Sequence, residues 1–516
     1  MKLHRPLAIA IVTLLPTAVF AEVKLAPVIT AHMVLQRDMP VPIWGTAAPG
    51  EQVTVEFRDQ KQAATADKDG KWSVKIGPLK AGGPDVLTVT GKETIKLEDV
   101  LVGEVWVGSG QSNMQMGASS YIKGDPTLAD LVAKAPYPQV RLIQSARSGP
   151  WKECTEANAT GFSALLLSFG LRLHQELGVP VGLMQGAVGG TPSGYWLSEK
   201  AFREDEGCKK VIEQAMANYS EEEEQKKYEA AKQKWQPLAD QAKKDNKPVP
   251  PAPPAPIKPG TPRGQIGNLY EVHIRGYIPY AIRGVLWDQG ESGTAVEKLD
   301  QFTIMGALIK GWRNEWGQGE FPFLYVQKPS GGGCAWDPSN PTTKQAEPFQ
   351  AITAQTPVPA DGQYRETHVR IRTYPNTAMV IATDLGSGIH PSNKAGYGQR
   401  ASQVAAGFVY GREVEYYGPV YKKHDREANA IRIQFDHVGQ GLAYKHGDKL
   451  QGFAVAGEDK KFYWADAKID GNTVVVSSEQ VKEPVAVRYA WSGRHPWANL
   501  FNKDGLPALE FRTDNW

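Results

Sequence analysis

The sequence predicts an α/β protein in which a parallel sheet covered by helices lies between two β-rich domains. Three observations support this fold class. Short alternating runs fill residues 22–101, strands alternate with helical periods over residues 102–414, and strand-type alternation returns over residues 415–516. The chain of 516 residues also exceeds the size at which one hydrophobic core stops growing, so several domains are expected.

The first segment, residues 1–21, is predicted to be a secretory signal peptide. Lys2 and Arg5 precede an apolar run, and small residues surround a cleavage point after Ala21. A membrane anchor is the alternative, but the apolar run is short for a span and Pro16 interrupts it. We therefore expect a secreted or periplasmic protein that has no membrane contact after cleavage.

The two β-rich domains follow from their alternation of apolar and polar residues. In the first, VPIWGTAAPGEQVTVEFRDQ and GKWSVKIGPL are broken by Gly, Pro and Asp, which is typical of a small antiparallel β-sandwich. In the last, AIRIQFDHVGQGL and NTVVVSS show the same pattern. These patterns predict a β-sandwich before the middle domain and a second β-domain after it.

The middle domain is predicted to contain the parallel sheet. The strand EVWVGSG precedes a helical period in SALLLSFGLRLHQELG, and the alternation continues through VPVGLMQG, AIRGVLWDQG, FPFLYVQ and TAMVIATDLG. Its Gly-rich turns follow strands, so they gather at the carboxyl edge of the sheet. Open α/β sheets bind their ligands at this edge.

An insertion at residues 220–262 interrupts this pattern. Its first part, SEEEEQKKYEAAKQKWQPLADQAKKDNK, is a charged helical run, and its second part, PVPPAPPAPIKPGTP, suits a stiff polyproline II spacer. We interpret the insertion as a surface excursion that carries no chemistry.

Charge and cysteine content exclude several classes of protein. Lys and Arg number 58 against 56 Asp and Glu, and no basic block concentrates the net charge of +2, so a nucleic-acid partner is not expected. Cys154, Cys208 and Cys334 can form at most one bridge and are too few for a disulfide framework. No HExxH-type metal-binding motif is present.

A serine at the carboxyl edge is the candidate nucleophile. Ser112 lies in the tight turn Gly110-Gln111-Ser112-Asn113, where its N–H can also point at a developing oxyanion. Met114 replaces the glycine that would complete the nucleophile elbow of α/β-hydrolases. The turn GAVGGTP, residues 186–192, adds backbone N–H groups that can approach a substrate closely.

Two further turns supply an amide and an imidazole. In WDQGES the neutral amide of Gln289 can donate to an oxyanion, whereas an ionised Glu291 would repel it, so we assign Glu291 a structural role. In IHPSNKAG the candidate base His390 follows a strand, and Ser392 or Asn393 can cap the next helix. His495 lies in the last β-domain and lacks this setting between a strand and a helix.

These motifs resemble a known family. WVGSGQSNMQMG, GAVGGTPSGYW, PYAIRGVLWDQGES and DLGSGIHPSNKAGYGQR look like successive blocks of the sialate O-acetylesterases, a branch of the SGNH hydrolases. The resemblance implies an SGNH-type, flavodoxin-like sheet with helices on both faces. It also implies that Ser112 is the nucleophile, that His390 is the general base, and that Gly189 and Gln289 complete the oxyanion hole with the Ser112 N–H.

The acid of a catalytic triad is left open. The family commonly has an acidic residue two or three positions before the histidine, where this chain has Ser387 and Gly388. Asp384 can serve if the intervening loop curls back. Alternatively a backbone carbonyl holds His390 in a Ser-His dyad and Asp384 only pins the loop, which requires less distortion.

The resemblance implies a serine esterase that removes O-acetyl groups from carbohydrate without a metal or an organic cofactor, with sialate esters as the leading substrate. An acetylxylan or other polysaccharide O-acetylesterase needs the same catalytic parts and is the alternative substrate assignment. A glycan-binding protein with an inactive centre is the alternative from a different class. The expected partner in each case is an O-acetylated sugar or glycan.

Overall fold

The structure is a computed structural model that describes residues 22–145 and 149–516. The signal-peptide prediction for residues 1–21 therefore lies outside the described residues. In the described part of the chain, no helix combines the length and apolarity needed to cross a membrane.

The strands of the first domain form two sheets and pair antiparallel, except that β2 runs parallel to β8. One sheet has the order β1-β3-β6, and in the other β7 lies between β4 and β8. Alternate residues of β4 and β6 are buried, so each strand turns one face to a core. The strands are β1 Lys24–Leu25, β2 Val34–Gln36, β3 Val41–Thr46, β4 Gln52–Phe57, β5 Gln60–Thr65, β6 Lys71–Ile76, β7 Gly82–Thr90 and β8 Thr94–Gly110.

Strand β8 belongs to two sheets at once. Its first half pairs antiparallel with β7, and from Glu104 onward it pairs in parallel within the central sheet. The predicted domain boundary at residue 101 falls inside this strand. Glu104, which is fully buried, joins the two regions further because Arg283 Nε lies 2.8 Å from its carboxylate and Arg37 pairs with the same group.

The central sheet has the order β10-β9-β11-β8-β12-β13-β14, in which β10 alone runs antiparallel to its neighbour. Five of its parallel strands, β11-β8-β12-β13-β14, have the flavodoxin-like order 2-1-3-4-5 when they are numbered along the chain from β8, and β9 and β10 extend this sheet beyond β11. The added strands are β9 Tyr137–Gln144, β10 Lys152–Cys154, β11 Val181–Ala187, β12 Gly284–Asp288, β13 Phe323–Val326 and β14 Thr377–Val380.

The helices of the middle domain begin and end where capping residues place them. Ser163 accepts from the N–H of Leu166 at the start of α4, and Gly178 ends that helix with a φ of +64°. The helices are α1 Ser112–Gln115, α2 Pro126–Ala133, α3 Glu156–Gly161, α4 Ala164–Leu177, α5 Glu199–Glu204, α6 Glu206–Ala217, α7 Glu221–Lys244, α8 Asn268–His273, α9 Gln301–Trp316, α10 Gln363–Ile371 and α11 Lys394–Val404.

The insertion contains a long exposed helix and a proline-rich segment that returns along it. Helix α7 covers the charged run, and Trp235 Nε1 on this helix donates to the Pro250 carbonyl at 2.8 Å. The ends of the insertion also meet, since Lys258 Nζ lies 3.5 Å from a carboxylate oxygen of Glu221. The segment is thus a closed surface excursion rather than an extended spacer.

The last domain is β-rich and has a core of its own. Its sheets have the orders β15-β16-β21-β20, β17-β23 and β19-β18-β22-β24. The three cysteines, which lie in the middle domain, are buried and unpaired. The strands are β15 Val420–Glu427, β16 Ala430–Asp436, β17 Leu442–Tyr444, β18 Phe453–Ala456, β19 Phe462–Trp464, β20 Asp466–Asp470, β21 Thr473–Ser477, β22 Ala486–Tyr489, β23 Leu500–Asn502 and β24 Phe511–Arg512.

Candidate active site

Ser112 lies at the carboxyl end of the central strand β8. Gly110 ends this strand with a φ of +128°, and a Cβ at that position would lie 2.1 Å from the Asp288 carbonyl oxygen, so only glycine fits. The N–H of Gln111 donates to that carbonyl at 2.9 Å, which ties the turn to the end of β12. Chain connections leave β8 and β12 in opposite directions, so Ser112 lies at a topological switch point.

His390 reaches Ser112 from the loop between β14 and α11. Its Nε2 lies 2.8 Å from the Ser112 hydroxyl oxygen, although the two residues are 278 positions apart in sequence. Asn393 caps α11 by accepting from the Gly396 N–H at 3.1 Å, one of the two predicted capping choices. The structure thus brings the predicted nucleophile and the predicted base into direct contact.

Asp384 has a different partner. Its two carboxylate oxygens accept from Arg400 Nη1 and Nη2 at 3.1 and 2.9 Å, and both side chains are buried. Across residues 22–145 and 149–516, no hydrogen bond or ion pair joins Asp384 to His390, and His390 Nδ1 has no hydrogen-bond partner either. The arrangement matches a Ser-His dyad and leaves the triad role of Asp384 without a contact.

Gly189 lies against the nucleophile. A Cβ on this glycine would approach the Ser112 Cβ to 3.2 Å, so the absent side chain leaves room above the serine. The N–H of Gly189 donates to Gln115 Oε1 at 2.7 Å. This predicted oxyanion donor therefore reaches a substrate only when the exposed Gln115 side chain moves aside.

Gln289 is buried and its amide is fully used. Its Nε2 donates to the carbonyls of Thr191 and Gly293 at 3.3 and 3.1 Å, and its Oε1 accepts from Gln301 Nε2 at 3.0 Å. In this arrangement Gln289 fixes two loops and has no free N–H for an oxyanion. Its predicted oxyanion role requires a rearrangement of these bonds.

Two buried charges, Lys328 and Asp288, and the more exposed Glu291 lie close to Ser112. Lys328 Nζ lies 2.6 Å from Asp288 Oδ1 and 2.8 Å from Glu291 Oε1, and Glu291 also accepts from Gln111 Nε2 at 2.8 Å. Burial disfavours the charge of Lys328, but the two carboxylates outweigh it and hold its pKa above the ordinary lysine value. Burial raises the pKa of Asp288. Glu291 thus links Lys328 to the turn that carries Ser112.

Two lysines of this site, Lys328 and Lys394, were not predicted from the sequence. Both are buried, and Lys394 lies in the first turn of α11. The available signal was their position, because Lys328 follows the apolar strand β13 and Lys394 lies four residues after His390. A lysine directly after a buried strand has to be paired if it is to stay charged.

Comparisons with known proteins agree with the motifs. No protein-family model matches the chain. Curated sialate O-acetylesterases of Mus musculus and Homo sapiens are 27% and 26% identical to it, over 91% of this chain and 89% and 87% of theirs. The crystal structure of a carbohydrate acetylesterase from Xanthomonas citri has a TM-score of 0.73 and 29% identity, covering 96% of this chain and 100% of that one. These similarities confirm the resemblance to the sialate O-acetylesterases that the motifs predict.

Proposed function

We propose that the protein is a serine esterase that removes O-acetyl groups from carbohydrate, with sialate esters as the leading substrate. The observation that carries the proposal is the 2.8 Å contact between His390 Nε2 and the Ser112 hydroxyl at the switch point of the sheet. A serine that donates to an imidazole loses its proton to it on attack, which makes the hydroxyl a useful nucleophile. The relatives' shared chemistry, deacetylation of carbohydrate, supplies the substrate class.

In the first half of the reaction, Ser112 Oγ attacks the acetyl carbonyl while His390 Nε2 accepts the hydroxyl proton. The carbonyl oxygen becomes an oxyanion, for which the N–H of Ser112 at the start of α1 is a suitable donor. When the intermediate collapses, the bond to the sugar oxygen breaks and His390 returns its proton to that oxygen. The products of this half are a deacetylated sugar and an acetylated Ser112.

In the second half, water takes the place of the sugar. His390 accepts a proton from the water as its oxygen attacks the acetyl carbonyl, and the second intermediate releases acetate when the proton returns to Ser112 Oγ. The Gly189 N–H is the second suitable oxyanion donor in both halves, once Gln115 Oε1 has been displaced. Displacement exchanges one neutral acceptor for a charged one, which forms the stronger hydrogen bond.

Two further features belong to this proposal. The middle domain is an SGNH-type unit with helices on both faces of its sheet, supported by the order of the four motif turns along the chain. The protein acts as an exported enzyme, secreted or periplasmic, supported by the charge and apolar pattern of residues 1–21.

The test is the hydrolysis of p-nitrophenyl acetate by the parent chain and by Ser112→Ala. Loss of the nucleophile should lower turnover by about 10⁴-fold or more, since serine hydrolases that lose this group lose about 10⁴ to 10⁶ in rate. Ser120→Ala changes an exposed serine nearby and should keep parent activity. A Ser112→Ala protein within tenfold of the parent contradicts the mechanism.

A serine-directed fluorophosphonate distinguishes the enzyme from an inactive glycan-binding protein. We expect covalent labelling of Ser112 alone in the parent chain, whereas a binding protein without a working centre would remain unlabelled and would not release p-nitrophenol. A panel of O-acetylated sialosides, xylans and other polysaccharides then identifies the substrate. A higher kcat/KM on acetylated xylan than on sialosides would replace the leading substrate with the polysaccharide alternative.

A further inference from the structure

The loop that carries His390 needs an anchor, because the base of a dyad works only when its ring is held against the nucleophile. Asp384 is paired with Arg400 and does not provide one. The loop also lies open to solvent, and the side chain of Ile389, directly before the histidine, is 66% exposed. The position of His390 must therefore be fixed from the buried side of the loop.

Asn113 supplies that contact. Its side chain is 1% exposed, and its Nδ2 donates to the Ile389 carbonyl oxygen at 2.9 Å. The same nitrogen lies 3.3 Å from Glu291 Oε1. Since Asn113 directly follows Ser112 in α1, one side chain joins the helix of the nucleophile to the peptide group that precedes the base.

Lys394 fixes the direction in which this amide points. Its Nζ donates to Asn113 Oδ1 at 2.7 Å. Nζ keeps N–H donors whether or not it is protonated, and the Ile389 carbonyl and Glu291 accept from the amide nitrogen, so the amide oxygen points toward Lys394. The Nζ also lies 4.7 Å from the ring centroid of Tyr121 and 5.5 Å from that of Tyr397, so its position is held on several sides.

The other end of the arrangement is anchored by charge. Glu291, the second acceptor of Asn113 Nδ2, is held by Lys328 at 2.8 Å, and Lys328 is held in turn by Asp288 at 2.6 Å. Each polar atom of the Asn113 amide thus faces a partner that is itself fixed. An amide whose oxygen is held by Lys394 and whose nitrogen faces Glu291 has one orientation, which is what precise placement of the Ile389 carbonyl requires.

We propose that Asn113, oriented by Lys394, is the positioning residue of His390: it holds the peptide before the base and so replaces the alignment that a triad carboxylate would provide. This inference rests on the proposed esterase function. Asn113 donates to the backbone carbonyl before His390 rather than to its imidazole ring, so it acts on the reaction through the position of His390. Small misplacements of catalytic groups cost about 10²-fold in rate.

The expected result is therefore a loss in kcat with little change in KM. Asn113→Ala should slow turnover of p-nitrophenyl acetate by about 10²-fold and slow fluorophosphonate labelling of Ser112 by a similar factor. In a His390→Ala background, the same substitution should cause no further loss, because the residue that it positions is gone. If Asn113→Ala lowered turnover in the His390→Ala background by the same factor as in the parent background, the proposal would be overturned. A turnover rate of the single variant Asn113→Ala within threefold of the parent would also overturn it.

Two variants keep this test interpretable. Asn499 is a matched control, because it is a buried asparagine of the last domain whose Nδ2 donates to the carbonyls of His446 and Lys449. We expect Asn499→Ala to leave kcat unchanged. If Asn113→Ala does not fold, Asn113→Asp takes its place, because it keeps an acceptor for Lys394 and removes the donor that faces the Ile389 carbonyl and Glu291 Oε1. It is judged by the same criteria.

Failure of the inference can be told apart from failure of the proposed function. An unlabelled and inactive parent chain removes the esterase function, and the role of Asn113 falls with it. An active, labelled parent whose activity ignores Asn113→Ala or Asn113→Asp leaves the esterase intact and removes only the positioning role.

Discussion

Replacing Asp384 with Asn separates a structural role of this carboxylate from a catalytic one. The change is nearly isosteric, removes the negative charge and keeps one acceptor oxygen. In the structure the charge faces Arg400, with donor-acceptor distances of 3.1 and 2.9 Å, and both side chains are buried. The substitution therefore leaves a buried guanidinium without its counter-charge.

The expected magnitude follows from that burial. Removing one partner of a buried ion pair costs about 3 to 5 kcal/mol in the free energy of unfolding, because the remaining charge is left uncompensated. The expected loss in turnover is less than tenfold, since the dyad contact between His390 and Ser112 does not include Asp384. A triad acid behaves in the opposite way, because its amide variant turns over about 10⁴-fold more slowly while the geometry stays intact.

The assay measures both quantities on the same preparation. Urea unfolding gives the stability of Asp384→Asn, and p-nitrophenyl acetate hydrolysis gives its turnover rate at a temperature where circular dichroism shows a fully folded chain. Asp514→Asn is the matched control, since Asp514 forms a buried two-bond pair with Arg488 at 2.8 and 2.7 Å in the last domain. It should lose comparable stability and keep parent turnover. If folded Asp384→Asn turned over more slowly than the parent by about 10³-fold or more, the dyad would be refuted.

Two further outcomes are expected. Burial lowers the pKa of Lys394 to about 7, against 10.5 for an ordinary lysine, so between these pH values the unfolded chain holds a proton that the folded chain lacks. The free energy of unfolding, measured with urea, should therefore rise with pH more steeply in the parent than in Lys394→Met, by up to about 1.4 kcal/mol per pH unit. If the two proteins gave parallel curves of unfolding free energy against pH, the lysine would keep its proton in the folded chain. Replacing residues 221–256 with a short Gly/Ser loop should preserve hydrolysis of small acetyl esters, because the two ends of the insertion already lie together, with Glu221 and Lys258 3.5 Å apart. Much slower turnover by the folded variant would show that the insertion shapes the site.

The contact between Ser112 and His390 could be predicted because it depends on one property of the sequence. Both residues follow strands of a parallel sheet, and the carboxyl ends of such strands meet at one edge whatever the order of the strands. The place of β9 could not be predicted, since this strand precedes β11 in sequence but lies beyond it in the sheet, and alternation along the chain carries no information about neighbours.

The parts of the site that were missed depend on side-chain partners. Asp384 is a candidate acid by its spacing to His390. Its partner Arg400, however, follows that histidine in sequence, and the two charged side chains come into contact only when α11 packs against the sheet. Gln289 is a candidate oxyanion donor by its chemistry, but the fold commits its N–H groups to two carbonyls. Residue type shows what a side chain can bond, whereas packing decides what it does bond.

The burial of β8 changes along its length, close to the domain boundary that was predicted at residue 101. Exposed and half-buried residues alternate from Thr94 to Asp99, and every residue from Val100 to Gly110 is buried. A change from alternating to continuous burial is the pattern of a strand that passes from a one-sided antiparallel sheet into a sheet covered on both faces. The change from alternating to continuous burial therefore shows that the strand continues from one domain into the next, with no linker between them.

This shared strand also determines how the protein can be dissected and how it can move. A hinge needs backbone free to rotate, but β8 is paired with β2 and β7 at Val102 and with β11 from Glu104 onward. The first domain therefore cannot rock over the serine as a lid, and closure around a sugar has to come from loops. For protein engineering, a catalytic fragment that begins at residue 102 would start in the middle of its own central strand, so grafting or truncation has to keep Thr94–Gly110 whole.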